Sequence, residues 1–352
     1  MKKTVFIVGA GASKDFGMPL GIELAADIRS VLQSEIGKPV SDNNSVIGSA
    51  MQSNLTGDFG VAARDLCGGL VTARSIDRLL DSRKDRPLVV ELGKCAIAEA
   101  IARKERQSTI GARADEGQWS SLQSALVEAN ESWLARLFGL LNEGIPPTEA
   151  ERVFESCSFV TFNYDRCIER YLQLAFQQSM NRPAEDAAAL VNAIPIVHVY
   201  GSLGQFSDSN GFGVAFGPPS FQIREAAASI KTFTEVVPTE TLDRIGELIE
   251  QAELIVFLGF AFDPLNVNVL FRNNNLIRKK ISGTCIGVGE SVLAGAQANM
   301  FDKNLTVIDE MTSSERVFLR TWREAGKLKS LLSPMVCNEF INNDRFKDLL
   351  FS

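Results

Sequence analysis

The chain has 352 residues, of which 45% are hydrophobic and 22% charged, and these proportions are typical of a globular protein. Its net charge of −7 argues against direct binding of nucleic acid, because nucleic-acid-binding surfaces are strongly basic. The apolar runs are too short for a membrane helix or a signal peptide, so we expect a cytoplasmic protein that binds no membrane.

The chain begins with the sequence of a buried strand. Thr4 to Val8 carries consecutive apolar residues, a pattern typical of a central parallel strand. A glycine loop, Gly9-Ala10-Gly11-Ala12-Ser13, follows directly, and a helix is predicted from about Ile22 to Ser34. This is the position at which a dinucleotide-binding fingerprint would occur.

A mostly helical insertion is predicted next, over residues 37–149. Residues 37–60 are expected to form a loop, and Ser75 to Arg106 a helical stretch that Ser75 caps and Pro87 interrupts. Trp119 to Asn142 is a second helical stretch. We expect its apolar face to pack inside the subunit, with a subunit contact as the alternative; this face comprises Leu122, Leu126, Trp133, Leu137 and Leu141.

Strand patterns return after residue 150 and alternate with helices. Strands are predicted at 158–162, 194–200, 254–258, 284–288 and 305–308. Alternation of this kind indicates an α/β protein with a Rossmann-like, doubly wound parallel sheet. We therefore assign 1–36 and 150–312 to the Rossmann-like domain, and 313–352 to a helical C-terminal tail.

The glycine loop suits a pyrophosphate, because glycines allow backbone N–H groups to approach it closely. Its spacing departs from GxGxxG, since Lys14 takes the place of the third glycine. An ordinary tight turn is the alternative, but the position after the first strand favours phosphate binding.

Two later strand ends carry side chains suited to chemistry. Asn163 could hold a water or a ribose hydroxyl, and Asp165 could accept from a carboxamide, although the same residues also form helix-capping Asx turns. His198 is the only histidine and lies near Gly201, which would permit close approach of a ligand. Its unperturbed pKa of about 6.5 suits acid–base catalysis, while the alternative is a histidine of the core or sheet edge.

The cysteines give no indication of a metal site. All six are scattered without a CxxC pair, so neither a zinc ribbon nor a disulfide framework is predicted. With a single histidine in the chain, we expect no metal and reduced, buried thiols.

Taken in chain order, these motifs resemble the sirtuin family. Gly9 to Ser13 with Phe16-Gly17-Met18-Pro19 resembles the GAG-x-S loop and the apolar cofactor-binding loop of sirtuins. Thr161 to Asp165 resembles their T-Q-N-x-D motif, and His198 to Leu203 resembles their catalytic H-x-x-G-S/T region. The resemblance implies an NAD-binding Rossmann-like domain.

The positions at which the sequence differs from sirtuins indicate a narrower group of related proteins. The sirtuin zinc module with its two CxxC pairs is missing, and Leu258 to Asp263 replaces the G-T-S motif. The strings T-F-N-Y-D and G-F-x-F-D, and a helical segment like Ser75 to Lys94, are similar to sirtuin-like proteins of bacterial anti-phage defence. That group implies an abortive-infection effector that hydrolyses NAD+ to nicotinamide and ADP-ribose.

The resemblance also implies roles for individual residues. Asn163 would hold the water or the ribose hydroxyls, Asp165 would contact the carboxamide, and His198 would be the general base. The other contacts to NAD+ would come from Gly9, Ala10, Gly11, Ala12 and Ser13 at the pyrophosphate, Phe16 and Gly201 near the reacting end, and Gly259, Asp263 and, more weakly, Asn266 towards the adenosine.

Three other functions stay open at this point. The chain could be a regulatory module that binds NAD+ or ADP-ribose without turnover, a sirtuin-type protein deacylase, or a structural subunit with a decayed site. The resemblance further implies a homo-oligomer that works with a separate HerA-like ATPase or sensor protein.

Overall fold

The computed structural model describes residues 1–37, 45–73, 75–111, 119–206, 213–232, 235–272, 276, 279–301 and 331–351. Within this part of the chain, six parallel strands form one sheet in the order β3-β2-β1-β4-β5-β6. The strands are β1 Thr4–Val8, β2 Cys157–Thr161, β3 Ile196–His198, β4 Leu254–Leu258, β5 Lys280–Thr284 and β6 Leu332–Ser333. The α/β, Rossmann-like doubly wound fold expected from the sequence is confirmed.

The first strand lies at the centre of the sheet. Its residue Phe6 pairs with Phe159 on β2 and with Val256 on β4. All five residues of β1 are buried, which is why the sequence shows no polar alternation there. Since the chain runs from β1 to β2 and β3 on one side and resumes at β4 on the other, the ends of β1 and β4 form the topological switch point.

Helices form most of the described chain between these strands. Their bounds are α1 Ala10–Ser13, α2 Gly21–Glu35, α3 Val46–Met51, α4 Phe59–Gly69, α5 Ile76–Asp81, α6 Pro87–Gln107, α7 Trp119–Glu128, α8 Trp133–Asn142, α9 Cys167–Ser179, α10 Ala184–Ala193, α11 Ile223–Ala228, α12 Thr239–Gln251, α13 Pro264–Leu270, α14 Glu290–Phe301, α15 Cys337–Ile341 and α16 Asp344–Phe351. Helices α3 to α8 lie within residues 37–149, the range assigned from the sequence to the helical insertion.

The insertion differs from the prediction in two places. Helix α3 lies within 37–60, which was expected to be a loop, and its start is fixed by Ser45, whose hydroxyl accepts from the Gly48 N–H at 2.9 Å. The stretch from 119 to 142 is two helices, because Ser132 caps the second by accepting from the Ala135 N–H at 3.2 Å. The expected apolar face packs inwards, with Trp133, Leu137 and Leu141 buried and Leu122 and Leu126 partly buried.

The last strands also differ from the prediction. Strand β5 occupies Lys280–Thr284 rather than 284–288. It contains Gly283, a residue type with low β-strand propensity, because a Cβ at this position would lie 2.3 Å from the Phe257 carbonyl oxygen. The tail from 313 is not wholly helical, since Leu332–Ser333 pairs with β5 and extends the sheet. The strand predicted at 305–308 lies outside the described residues. Among the helices described, none has the length and apolar character needed to cross a membrane.

Candidate functional site

Three buried polar side chains form a network where β1 and β2 end. The Asn163 side-chain amide donates to the Gly9 carbonyl at 3.2 Å and to the Ser13 hydroxyl at 2.9 Å. The Ser13 hydroxyl donates to Asp165 Oδ1 at 3.0 Å, and this oxygen also accepts from the Cys167 N–H at 3.2 Å. Asp165 therefore forms an Asx turn just before α9, the alternative that the sequence left open, and it also joins the loops after the two strands.

Burial is the main influence on the Asp165 carboxyl. Removal from water raises the pKa of Asp165, while the hydrogen bonds from Cys167 and Ser13 act in the opposite direction. The result is a carboxyl group that holds its charge less readily than an exposed aspartate does.

His198 lies beside this network, at the end of β3. Its Nδ1 is 2.9 Å from the Asn163 carbonyl oxygen, and its Nε2 is 2.7 Å from Glu169 Oε1. The side chains of His198 and Glu169 are 11% and 13% exposed, respectively. The imidazole and the Asn163 amide thus lie on the same edge of the sheet, as the sequence predicted, but both ring nitrogens are directed at protein oxygen atoms.

The ion pair shifts the pKa of both partners. Burial on its own lowers the pKa of His198, but the adjacent Glu169 carboxylate and the Asn163 carbonyl outweigh it, so the His198 pKa is raised. Burial likewise acts to raise the pKa of Glu169, but the imidazolium beside it lowers that pKa overall. Each group therefore favours the charged form of the other.

Glu169 was missed by the sequence analysis. It is in the first turn of α9, where an acidic residue is ordinarily interpreted as favourable to the helix dipole. The indication was its position just after the Asn163–Asp165 loop, because the helix that follows one strand of a parallel sheet packs beside the next strand.

The glycine loop is closed by contacts within the protein. Residues Ala10–Ser13 form a helical turn, and three N–H groups of the loop already donate to carbonyl groups: Gly9 to Leu258, Gly11 to Gly259 and Ala12 to Gly9, each at 3.0 Å. In this conformation those three N–H groups are not free for a phosphate, and phosphate binding by the loop stays a prediction.

Two glycines of the candidate site are required by the packing of the backbone. Gly259 has a φ of +57°, and an added Cβ would lie 2.1 Å from the Ala12 nitrogen. Gly201 has a φ of +73°, and its Cβ would lie 1.9 Å from the Ser229 carbonyl oxygen. At Gly201 the close approach that we expected from a ligand is made by the protein's own chain.

The remaining candidate residues lie around this centre. Phe16 is 1% exposed and packs on Tyr171 with ring centroids 6.0 Å apart, so it faces the core rather than an open crevice. Asp263 caps α13 through the Leu265 N–H and pairs with Arg78 of α5 at 2.7 Å.

The helical insertion extends over this edge of the sheet. The Tyr164 hydroxyl, in the loop after β2, donates to Asp77 of α5 at 2.6 Å, next to the Arg78–Asp263 pair. The indole N–H of Trp133, at the start of α8, donates to the Ala12 carbonyl at 3.0 Å. The insertion therefore contacts the loops after β1, β2 and β4.

A cavity of about 450 Å³ opens at the same edge, between the loop after β3 and helices α12 and α13. This volume is within the range of small-molecule sites. Asn266 borders this region and accepts from the Tyr200 hydroxyl at 2.8 Å. The cavity is lined by Tyr200, Glu235, Val236, Val237, Leu242, Leu265, Asn268, Val269 and Arg272, so none of Asn163, Asp165 and His198 faces it.

A doubly wound sheet serves many unrelated functions, so the fold alone does not identify this one. The chemistry has to be inferred from the polar side chains at the carboxyl edge of the sheet. Compared with known proteins, the chain matches no family model and no curated protein.

Proposed function

We propose that the protein is an NAD+ glycohydrolase that cleaves NAD+ to nicotinamide and ADP-ribose. One observation carries this proposal: the loops after β1, β2 and β3 bring Ser13, Asn163, Asp165 and His198 together at the carboxyl edge of the sheet. This edge, next to the switch point, is where doubly wound sheets bind nucleotides.

The reaction breaks the bond between nicotinamide and the anomeric carbon of ribose. Because nicotinamide leaves as a neutral molecule, the protein mainly has to position the ribose, place a water and accept its proton. Asn163 would orient the water or the ribose hydroxyls, Asp165 would contact the carboxamide, and His198 would accept the proton. Since these side chains are hydrogen-bonded to one another or to neighbours, substrate has to replace some of those partners.

Nicotinamide release tests the proposal. We expect His198→Ala to reduce the rate about 10²–10⁴-fold, the usual contribution of a general base, and Asn163→Ala to reduce it as well. Asn192→Ala, an exposed amide on α10, is the matched control and should leave the rate unchanged. Equal rates in all four proteins would overturn the assignment.

A binding module without turnover is the second candidate. It is favoured by the cavity of about 450 Å³, which none of the three candidate catalytic side chains lines. Calorimetry with ADP-ribose distinguishes the two functions. Binding by the wild type and by His198→Ala, with no nicotinamide released by any protein, would favour the module.

We infer from the resemblance that this activity would serve anti-phage defence, in a homo-oligomer that acts with a separate HerA-like ATPase or sensor protein. Light scattering after size-exclusion chromatography tests the first part. A monomer at high protein concentration would contradict the proposed oligomer.

A further inference from the structure

His198 has no nitrogen that could act as a base in this structure. The Asn163 carbonyl oxygen can only accept a hydrogen bond, and an ionised Glu169 carboxylate can only accept as well. Both contacts, at 2.9 and 2.7 Å, therefore require a proton on the ring nitrogen. An imidazole with two N–H groups is a cation, and a general base needs a nitrogen without a proton.

The surroundings of the pair favour this charge distribution. Glu169 from α9 and Asp165 from the loop after β2 are the acidic groups that act on the imidazole. The imidazole is the main influence that lowers the pKa of Glu169, and Arg166 adds a smaller effect in the same direction. Glu169 Oε2 is buried and accepts no hydrogen bond from the described residues. A carboxylate that served stability alone would be expected to use both oxygens.

We propose that Glu169 is a positioning residue that keeps His198 protonated, so that the site at rest lacks its general base. His198 becomes a base when its contact with Glu169 is broken and the Nε2 proton passes to solvent. The catalytic part of this inference rests on the proposed function, whereas the protonation of His198 does not.

Because His198 is the only histidine, nuclear magnetic resonance of the full chain with isotopically labelled histidine shows one imidazole signal. Its pH titration needs no substrate. We expect the wild-type midpoint to lie above 6.5, the unperturbed value, and Glu169→Gln to lower it by about one pH unit or more. Glutamine has the shape of glutamate without its charge, so the change isolates the electrostatic effect.

Two further variants complete this experiment. Glu143→Gln removes a carboxylate that is exposed at the end of α8, and it should leave the midpoint unchanged. Glu169→Asp keeps the charge but shortens the side chain, and it should give a midpoint between those of the wild type and Glu169→Gln. It also provides the comparison if Glu169→Gln does not fold. A midpoint that is the same in the wild type and in the Glu169 variants would overturn the proposal.

The activity arm separates this inference from the proposed function. For an active enzyme, we expect Glu169→Gln to move the acidic limb of the kcat/KM profile to lower pH by the same amount as the imidazole titration. A shifted titration without nicotinamide release in any protein would retain the control of His198 by Glu169 and overturn the hydrolase. Nicotinamide release with unshifted titrations would retain the hydrolase and overturn the role of Glu169.

Discussion

At the scale of single residues, the main feature is that the candidate catalytic side chains form hydrogen bonds within the protein. Asn163 and Asp165 share the Ser13 hydroxyl, and His198 is paired with Glu169. A hydrogen-bonded charge pair with little exposure contributes to stability, and it does so over a limited range of pH.

The first prediction concerns that range. The raised pKa of His198 gives stability that is complete below 6.5 and is lost as the pH rises through the pKa of the folded state. The lowered pKa of Glu169 gives stability that is present above 4.5 and is lost as the pH falls through its folded-state pKa. We expect Glu169→Gln to lower the free energy of unfolding by about 2 kcal/mol between these limits and by less at higher pH. Urea denaturation at several pH values checks this, and a constant difference at all of them would contradict it.

The second prediction concerns Gly259. Alanine there would combine a left-handed φ of +57° with a Cβ 2.1 Å from the Ala12 nitrogen, so the loops after β1 and β4 would have to separate. We expect Gly259→Ala to cost at least about 3 kcal/mol. Gly139→Ala in α8 is the control, because its Cβ meets no heavy atom within 4 Å. It should stabilise the protein by up to about 1 kcal/mol, and thermal melting compares the two.

Sequence patterns predicted the ends of β1, β2 and β4 to within one residue, but they predicted the end of β5 and the partners of the side chains poorly. Asn163 and His198 were predicted to share one edge because parallel strands end together. Glu169 was not predicted, since its pairing depends on how α9 packs beside β3. Phe16 was also predicted poorly, because the sequence motif suggested a position near a ligand whereas the side chain is buried in the core.

At the scale of elements, the insertion is fixed to the sheet by a buried ion pair. Arg166, just before α9, donates to Glu105 of α6 at 2.7 Å, and the two side chains are 1% and 0% exposed. Glu105 also accepts from the Gly217 N–H at 2.7 Å. This pair joins the long insertion helix to the start of the helix that carries Glu169.

The third prediction follows from that burial. Arg166→Met would leave the Glu105 charge buried without its partner, so we expect a loss of about 3–5 kcal/mol. Arg152→Met is the control, because this arginine is 54% exposed and pairs with Glu149 on the surface. Exposed pairs of this kind contribute about 0–1 kcal/mol. Similar denaturation midpoints for the two variants would contradict the proposed role of the buried pair.

At the scale of the whole molecule, the chain termini meet. The Lys2 N–H donates to the Leu350 carbonyl at 3.0 Å, and β6 adds the tail to the edge of the sheet. The expected boundary at 313 lies outside the described residues, but the part of the tail that is described, from 331 to 351, contributes a strand to the sheet. A strand of two residues has too little sequence for its pattern to be recognised, and only its pairing with β5 defines it.

The fourth prediction tests the contribution of the tail. Leu350 is fully buried and Phe351 is 52% exposed, although they are adjacent in α16. We expect Leu350→Ala to cost about 2–5 kcal/mol, as other large-to-small changes in a core do. Phe351→Ala should change stability by less than about 0.5 kcal/mol. Equal losses in thermal melting would mean that the tail does not pack as described.

The central position of β1 has a consequence for synthesis. This strand is synthesised before the two strands that flank it, which begin only at Cys157 and Leu254. Until they are synthesised, the four consecutive apolar residues Val5 to Val8 have no strand to pair with, and the nascent chain is prone to aggregate there. The helices of the insertion are made in that interval, and Trp133 reaches the turn that follows the strand. Packing of the insertion helices against β1 would therefore bury this strand before its neighbouring strands are synthesised.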